Sequence, residues 1–147
     1  MRSGTTLLQV LLAVVLIGVL IAMAVPRLAE PLDRLAVERS GYDLAAAHGR
    51  ARLEAVLQGR VALLTISPDS MLISVVTPTL PPDTQVVWRR PGPRVEDGVF
   101  LSGPARVITF APTGLATGVS NATFTLSKGR ARMDVIVSRL GRVKIVP

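Results

Sequence analysis

The chain has 147 residues, a formal net charge of +7 and no cysteine. Once an apolar N-terminal segment is set aside, that length serves one modest globular domain, and the missing cysteines exclude disulfides and thiolate metal sites. Trp88, Tyr42, Phe100, Phe110 and Phe124 are the whole aromatic set, too sparse for a base-stacking platform.

From Leu7 to Val25 only Gln9 and Gly18 interrupt a hydrophobic run of 19 residues, which as helix reaches roughly 28 Å, close to the hydrocarbon thickness of a bilayer. Ala22-Met23-Ala24 has the small-x-small form of a signal-peptidase site, so a removable export signal is the competing reading. The run is long for a signal, however, and the sequence beyond Pro26 continues as an amphipathic helix. Between Arg27 and Arg60, Leu28, Leu32, Leu35, Tyr42, Ala46, Leu53 and Val56 recur at spacings that fall on one helix face. Opposite charges four apart at Glu30/Arg34, Arg34/Glu38, Arg39/Asp43 and Arg50/Glu54 predict ion pairs along the polar side. Pro26 and Pro31 predict kinks near Ala22 and Arg27, and Gly59 marks the end of a helix running from Thr5 to Gln58.

The short leader Met1-Arg2-Ser3-Gly4, the unbroken apolar helix and Pro26, 22 residues after Gly4, resemble the N-terminal signal of type IV pilins and type II secretion pseudopilins. The resemblance implies cleavage by a prepilin peptidase directly after Gly4, methylation of the new amine on Thr5, and storage in the inner membrane with the N-terminus cytoplasmic and the globular domain outside. Arg2 precedes the span and Arg27 follows it, so charge alone does not set that orientation. The family's usual residues at the first and fifth mature positions are phenylalanine and glutamate; here they are Thr5 and Gln9. The family glutamate neutralises a neighbouring subunit's terminal ammonium, because a charge in hydrocarbon is costly unless paired. Gln9 hydrogen-bonds but does not neutralise, which suits a subunit at a filament tip better than one in the shaft; the alternative is a polar substitution without positional meaning.

From Val61 onward short apolar runs alternate with turn residues. Val61 to Ile66, Met71 to Val76, Gln85 to Trp88, Val99 to Ser102, Arg106 to Ala111, Ala122 to Leu126, Ala131 to Val137 and Arg142 to Val146 are predicted as strands. Tight turns are expected at Ser67-Pro68-Asp69-Ser70, Ser127-Lys128-Gly129-Arg130 and Ser138-Arg139-Leu140-Gly141. In the last strands Phe124, Leu126, Met133, Val135, Val137, Val143 and Ile145 share one face, while Thr123, Thr125, Arg130, Arg132, Arg142 and Lys144 share the other. That alternation predicts a half-buried antiparallel sheet with a basic outer face, covered on its apolar side by the striped helix from Leu32 to Leu57. The fold class is therefore α+β, a long N-terminal helix on an antiparallel sheet. Its segments are a leader at 1–4, a transmembrane and filament-core helix at 5–26, an amphipathic helix at 27–60 and a β domain at 61–147. Thr77 to Gly103 carries Pro78, Pro81, Pro82, Pro91 and Pro93 and is expected to be loop with one or two edge strands. Trp88 is read as covering the sheet's edge, with a partner anchor as the alternative.

Ile108, Phe110, Pro112 and Gly114 in "VITFAPTGLATG", with Ser138, Gly141, Arg142 and Val143 in the closing "VIVSRLGRVKIV", are similar to the late-strand boxes of the GspH/FimT group of minor pseudopilins and pilins. Neither box is catalytic, and the resemblance implies no enzyme activity. His48 is the single histidine and is expected to lie on the helix surface or touch the sheet. Asp69, Asp83 and Glu96-Asp97 fit no calcium-loop spacing, and no metal or cofactor is assigned. Asn121-Ala122-Thr123 has sequon form but is expected to start a strand.

Three functions follow. The first is a structural subunit of a pilus or secretion pseudopilus, a minor or tip component whose partners are other pilin subunits, the prepilin peptidase and inner-membrane lipid. In the second, the domain captures DNA for transformation through Arg130, Arg132, Arg139, Arg142 and Lys144. Between Lys128 and Lys144 stand six basic residues against the single acid Asp134, a cluster that attracts phosphates. The third is an anchored β-domain unrelated to filaments.

Overall fold

The computed structural model of the chain describes residues 6–103, 105–118, 121–138 and 141–146, and the side chains of residues 24–27 lie outside that description. Gly4, Thr5 and Arg139 therefore fall outside the described residues, as does the side chain of Pro26. Helix α1 (Leu7–Gln58) is helical through both Pro26 and Pro31. The chain divides into two units, Met1–Leu32 and Asp33–Pro147. In the first, every described side chain is exposed, so this stretch of helix has no packed core of its own.

The second unit begins with the rest of α1. That helix closes with Gly59 at φ +61, Gly59 N–H donating to Val56 O at 3.3 Å and Arg60 N–H to Ala55 O at 3.2 Å. The pair of bonds is a Schellman motif, which needs the left-handed residue that glycine supplies. Two antiparallel sheets follow, where the sequence predicts one. Strands β1 (Ala62–Ile66), β2 (Ser70–Val76), β3 (Thr84–Pro91), β5 (Arg106–Phe110) and β6 (Ala116–Thr117) make a five-stranded sheet in the order β3-β2-β1-β5-β6. Strands β4 (Phe100–Ser102), β7 (Ala122–Lys128), β8 (Ala131–Val137) and β9 (Val143–Val146) make a four-stranded sheet in the order β4-β7-β8-β9. The split arises in the proline-rich segment. After Pro91 the chain turns through the short helix α2 (Pro93–Glu96) and delivers β4 to β7 before β5 returns to β1. Pro93 stands at the start of α2, where a fixed φ and a missing N–H cost nothing.

Two of the expected turns form; in the third, Arg139 and Leu140 lie outside the described residues. Ser67 N–H donates to Ser70 O at 3.0 Å and its hydroxyl to the same oxygen at 2.8 Å. Lys128 lies opposite Ala131, leaving Gly129-Arg130 as a two-residue loop with Gly129 at φ +55, the geometry that matches sheet twist. Phe124, Leu126, Met133, Val135 and Val137 are buried as the alternation predicts, with Val143 and Ile145 half-buried.

The helix corrects the sequence reading. Leu28, Leu32, Leu35, Tyr42, Ala46, Leu53 and Val56 are all exposed, and the residues buried are Val37, Ser40, Gly41, Leu44, Ala47, His48, Ala51 and Ala55. Both sets follow helical periodicity on opposite sides, and size decides between them. Small residues let a helix approach a sheet closely, and a Cβ on Gly41 would stand 2.7 Å from Met133 Sδ, tighter than van der Waals contact. Gly114, the glycine of the first late-strand box, is buried at φ +78, and a Cβ there would lie 2.9 Å from Val56 Cγ2. The turn Ala111–Leu115, closed by Ala111 N–H to Leu115 O at 2.8 Å, is thereby seated directly on α1. Buried side chains of α1 and of both sheets form one continuous core.

Candidate assembly surface

At its start α1 carries its own cap. The Thr6 N–H donates to Gln9 Oε1 at 3.1 Å, and Thr6 O accepts from Gln9 N at 2.9 Å. The first bond is one half of a capping box, in which the side chain of the third helical residue accepts from the cap's own amide. Gln9 Oε1 thus accepts from the start of its own helix. Of the other processing and assembly positions expected from sequence, Pro26 lies within α1 and Gly4 and Thr5 lie outside the described residues.

In the second unit α1 presents large apolar side chains to solvent. Leu35 is 60% exposed, Tyr42 64%, Leu53 55% and Leu57 71%, on the side opposite the buried small residues. Together they form an apolar stripe along the solvent side of the helix. The signal that separates the two faces was present in sequence as Ala47, Ala51 and Ala55, small residues at strict i+4 spacing.

Ion pairs along α1 differ from expectation. Arg50–Glu54 forms at 3.9 Å, but Arg39 and Asp43 turn away from each other to tertiary partners, and among the described residues Arg34 has no ion pair. Arg90 of β3 donates to Asp43 Oδ1 at 2.9 Å and, bidentately, to Glu96 Oε2 at 3.0 Å and Oε1 at 2.8 Å. Arg39 lies 3.4 Å from Glu96 and 3.8 Å from Asp97, and Ser40 Oγ donates to Asp97 Oδ2 at 2.8 Å. Lys128 Nζ donates to Asp97 O at 2.7 Å. A planar guanidinium meeting a carboxylate in two parallel bonds fixes orientation better than flexible pairs within one helix do. The network clamps β3 and α2 onto α1; the Arg90 guanidinium holds the Glu96 carboxyl below its ordinary value, and Glu96 raises that of Arg90. Asp69 is likewise engaged by Arg94 at 2.6 Å, and Asp83 accepts from Thr84 N–H at 2.7 Å. Among the described residues no cluster of metal-ligating side chains occurs.

Trp88 lies on the edge strand β3, half-buried, with the Arg50 guanidinium 5.4 Å from its ring centroid. The ring covers the sheet's edge, and Arg50 stacks over it while also pairing with Glu54. Asn121 is exposed immediately before β7 and Ala122 is buried, as expected of a strand's first residues.

The basic face is not one patch. Arg130 sits in the β7–β8 turn and Arg132 next to it on β8, opposite Ser127. Arg142 and Lys144 lie at the other end of β8, Lys144 opposite Ile136. Asp134 stands between the two pairs, accepting from Thr125 Oγ1 at 2.7 Å and lying 3.8 Å from Arg132 Nε. Arg132 and Ile136 are four residues apart on β8, or about 13 Å at strand rise. Alternation puts all these cations on the solvent side, but register along the strands spreads them to two ends.

A family model described as Type II transport protein GspH matches residues 42–141. The chain is 30% identical to the pilin-like protein PilA1 of Thermus thermophilus, over 98% of both chains. The chain belongs to the type IV pilin and pseudopilin family. Crystal structures of the type IV minor pilin FimU of Pseudomonas aeruginosa share its fold. One, in space group P21, matches at TM-score 0.61 and 19% identity, covering 78% of this chain and 90% of that one; the P65 form matches at TM-score 0.54 and 19% identity, covering 75% of this chain and 92% of that one. For a pilin the division of α1 has a plain meaning. Its N-terminal part is long and apolar enough to cross a membrane, and the part from Asp33 builds the domain.

Proposed function

We propose that this pilin-family chain is a minor subunit, at or near the tip, of a pilus or secretion pseudopilus. Prepilin peptidase cleaves it after Gly4, Thr5 becomes the methylated N-terminus, and residues 5–26 store it in the inner membrane with the domain outside. On extraction, the side chains that met lipid meet neighbouring pilin helices. The observation that carries this reading is the exposed stripe Leu35, Tyr42, Leu53 and Leu57 on a helix whose other face already supplies the core. A single helix with two apolar faces serves two packing partners. The tip position rests on Gln9, whose carboxamide oxygen accepts from Thr6 N–H and which carries no charge for a following subunit's ammonium. Mass spectrometry of the mature protein tests the reading: a methylated Thr5 start is expected, and an intact Met1 or a start at Val25 overturns it.

A second reading, DNA capture during transformation, is favoured by the exposure of Arg130, Arg132, Arg142 and Lys144 on the outer face of the four-stranded sheet; Arg139 belongs to the same proposal. Spacing of about 13 Å spans roughly four base steps of 3.4 Å, so the two pairs would contact separated phosphates. Binding that weakens steeply with salt and on Arg130→Glu or Arg142→Glu is expected; salt-insensitive binding removes this reading.

A further inference from the structure

Four of the five aromatic side chains are accounted for by the fold. Phe110 and Phe124 are buried, Trp88 lies under Arg50, and Tyr42 belongs to the exposed stripe of α1. The fifth, Phe100, opens β4 and is 62% exposed. A single exposed phenylalanine is ordinary on a protein surface. Its position in the strand register is what singles it out. Phe100 stands opposite Ser127 of β7, and Ser127 stands opposite Arg132 of β8. The neighbouring row, Leu101, Leu126 and Met133, is buried. Phe100 therefore lies on the outer face of the four-stranded sheet, in one row with Arg132 and two strand spacings, about 10 Å, from it. By count the aromatics are too few for a platform of several rings, yet register sets one of them beside the Arg130 and Arg132 pair.

Charge on the same face is arranged in rows. Ser102, Thr125, Asp134 and Val146 form the second row, and Thr123, Ile136 and Lys144 the third. Lys128 takes no part, because its Nζ donates to Asp97 O at 2.7 Å and lies 3.9 Å from Asp33. Cations at both ends of β8 attract a polyanion, while the Asp134 carboxylate, held by Thr125 Oγ1 at 2.7 Å, repels phosphate from the centre. Around Asp134 the side chains Ser102, Thr123 and Thr125 are short and uncharged. A strand of nucleic acid on this face keeps its phosphates at the two ends and turns sugars and bases towards the middle, where a base can lie on the Phe100 ring.

That contact separates two forms of DNA. In a duplex each base is covered by its neighbours, so the ring has nothing to stack on; in a single strand the base faces are free, and stacking on an aromatic ring tolerates any sequence. Charge alone gives the opposite preference, since a duplex carries twice the phosphate density of one strand. We propose that the outer face of the four-stranded sheet is a platform for single-stranded DNA, on which Phe100 stacks a base while Arg130 and Arg132 hold the adjoining phosphates. The proposal rests on the DNA-capture reading and adds to it the form of DNA and a residue outside the basic cluster.

The full chain in neutral detergent micelles is titrated into fluorescein-labelled oligothymidylate and into a mixed-sequence duplex of equal length, at about 50 mM and about 200 mM salt. The single strand is expected to bind about tenfold more tightly than the duplex. Phe100→Ala should weaken single-strand binding about tenfold and leave duplex binding and the salt dependence unchanged, while Phe100→Trp keeps the preference. Arg132→Ala should weaken both and lower the single-strand salt slope by about 0.7. Equal or tighter duplex binding, or single-strand binding that Phe100→Ala leaves intact, overturns the proposal while DNA capture stands. Absence of binding to either probe at low salt removes DNA capture and the proposal together. Unchanged DNA binding with lost filament incorporation in Phe100→Ala makes the ring a protein contact instead, and overturns the proposal as well.

Discussion

Gly41 is where one missing atom sets the distance between helix and sheet. Its absent Cβ would meet the end of the Met133 side chain at 2.7 Å, with Leu126 and Val135 behind it at 3.7 Å. A thioether is flexible enough to give way to one methyl group, whereas a branched side chain would also displace the two aliphatic neighbours. Gly41→Val is therefore expected to cost about 1–3 kcal/mol, in the range of core overpacking, and Gly41→Ala less. Urea denaturation of the full chain in micelles reads the difference, and Met133→Ala should recover much of the Gly41→Ala loss. Additive effects of those two substitutions would mean that Met133 is not what Gly41 makes room for.

On the scale of elements, the proline-rich middle segment is held by charge as much as by sheet pairing. Arg90 joins β3 to both Asp43 of α1 and Glu96 of α2. Arg90→Ala should raise amide exchange through α2 and β3 while β7 and β8 remain protected, with global stability changed by no more than about 1 kcal/mol because the pairs are partly exposed. Since Glu96 is held below its ordinary 4.5, its contribution is complete above that value and is lost as pH falls through the lower folded value. Acid should therefore loosen α2 only below about pH 4.5. An α2 that already opens near neutrality would show that the Arg90–Glu96 pair does not hold it. The strands and turns of this unit were largely legible from alternation and turn residues. The tertiary partners of Arg39 and Asp43 were not, because spacing does not reveal that Arg90 and α2 offer them better-oriented contacts than they offer each other.

Across the whole molecule, α1 divides its work between two faces, and substitution should separate them. Ala51→Leu is expected to destabilise the domain by about 1–3 kcal/mol through overpacking, seen as a lower urea midpoint. Leu53→Glu, on a side chain already 55% exposed, should leave that midpoint within about 0.5 kcal/mol yet abolish incorporation into filaments, measured by fractionation of sheared surface material. Normal incorporation of Leu53→Glu would remove this face from the assembly surface. Sequence periodicity found the Leu53 stripe but assigned it to the core, since both faces of the helix repeat with the same period.

What the sequence determined by itself was local: a membrane-length apolar run, a helix ending at Gly59, alternating strands, tight turns, and the pilin-like order in which they come. Each depends on residues within a few positions of one another, where backbone sterics and periodicity act without reference to the rest of the chain. Only the tertiary structure decided that the strands form two sheets and that the small residues of α1 face inward. It also decided that Arg39 and Asp43 find partners across the fold, and that the late cations stand at two ends of β8 instead of in one cluster. Those outcomes turn on close packing and on distances between segments far apart in sequence. Gly41 against Met133 and His48 against Phe110 are contacts that no spacing along the chain encodes.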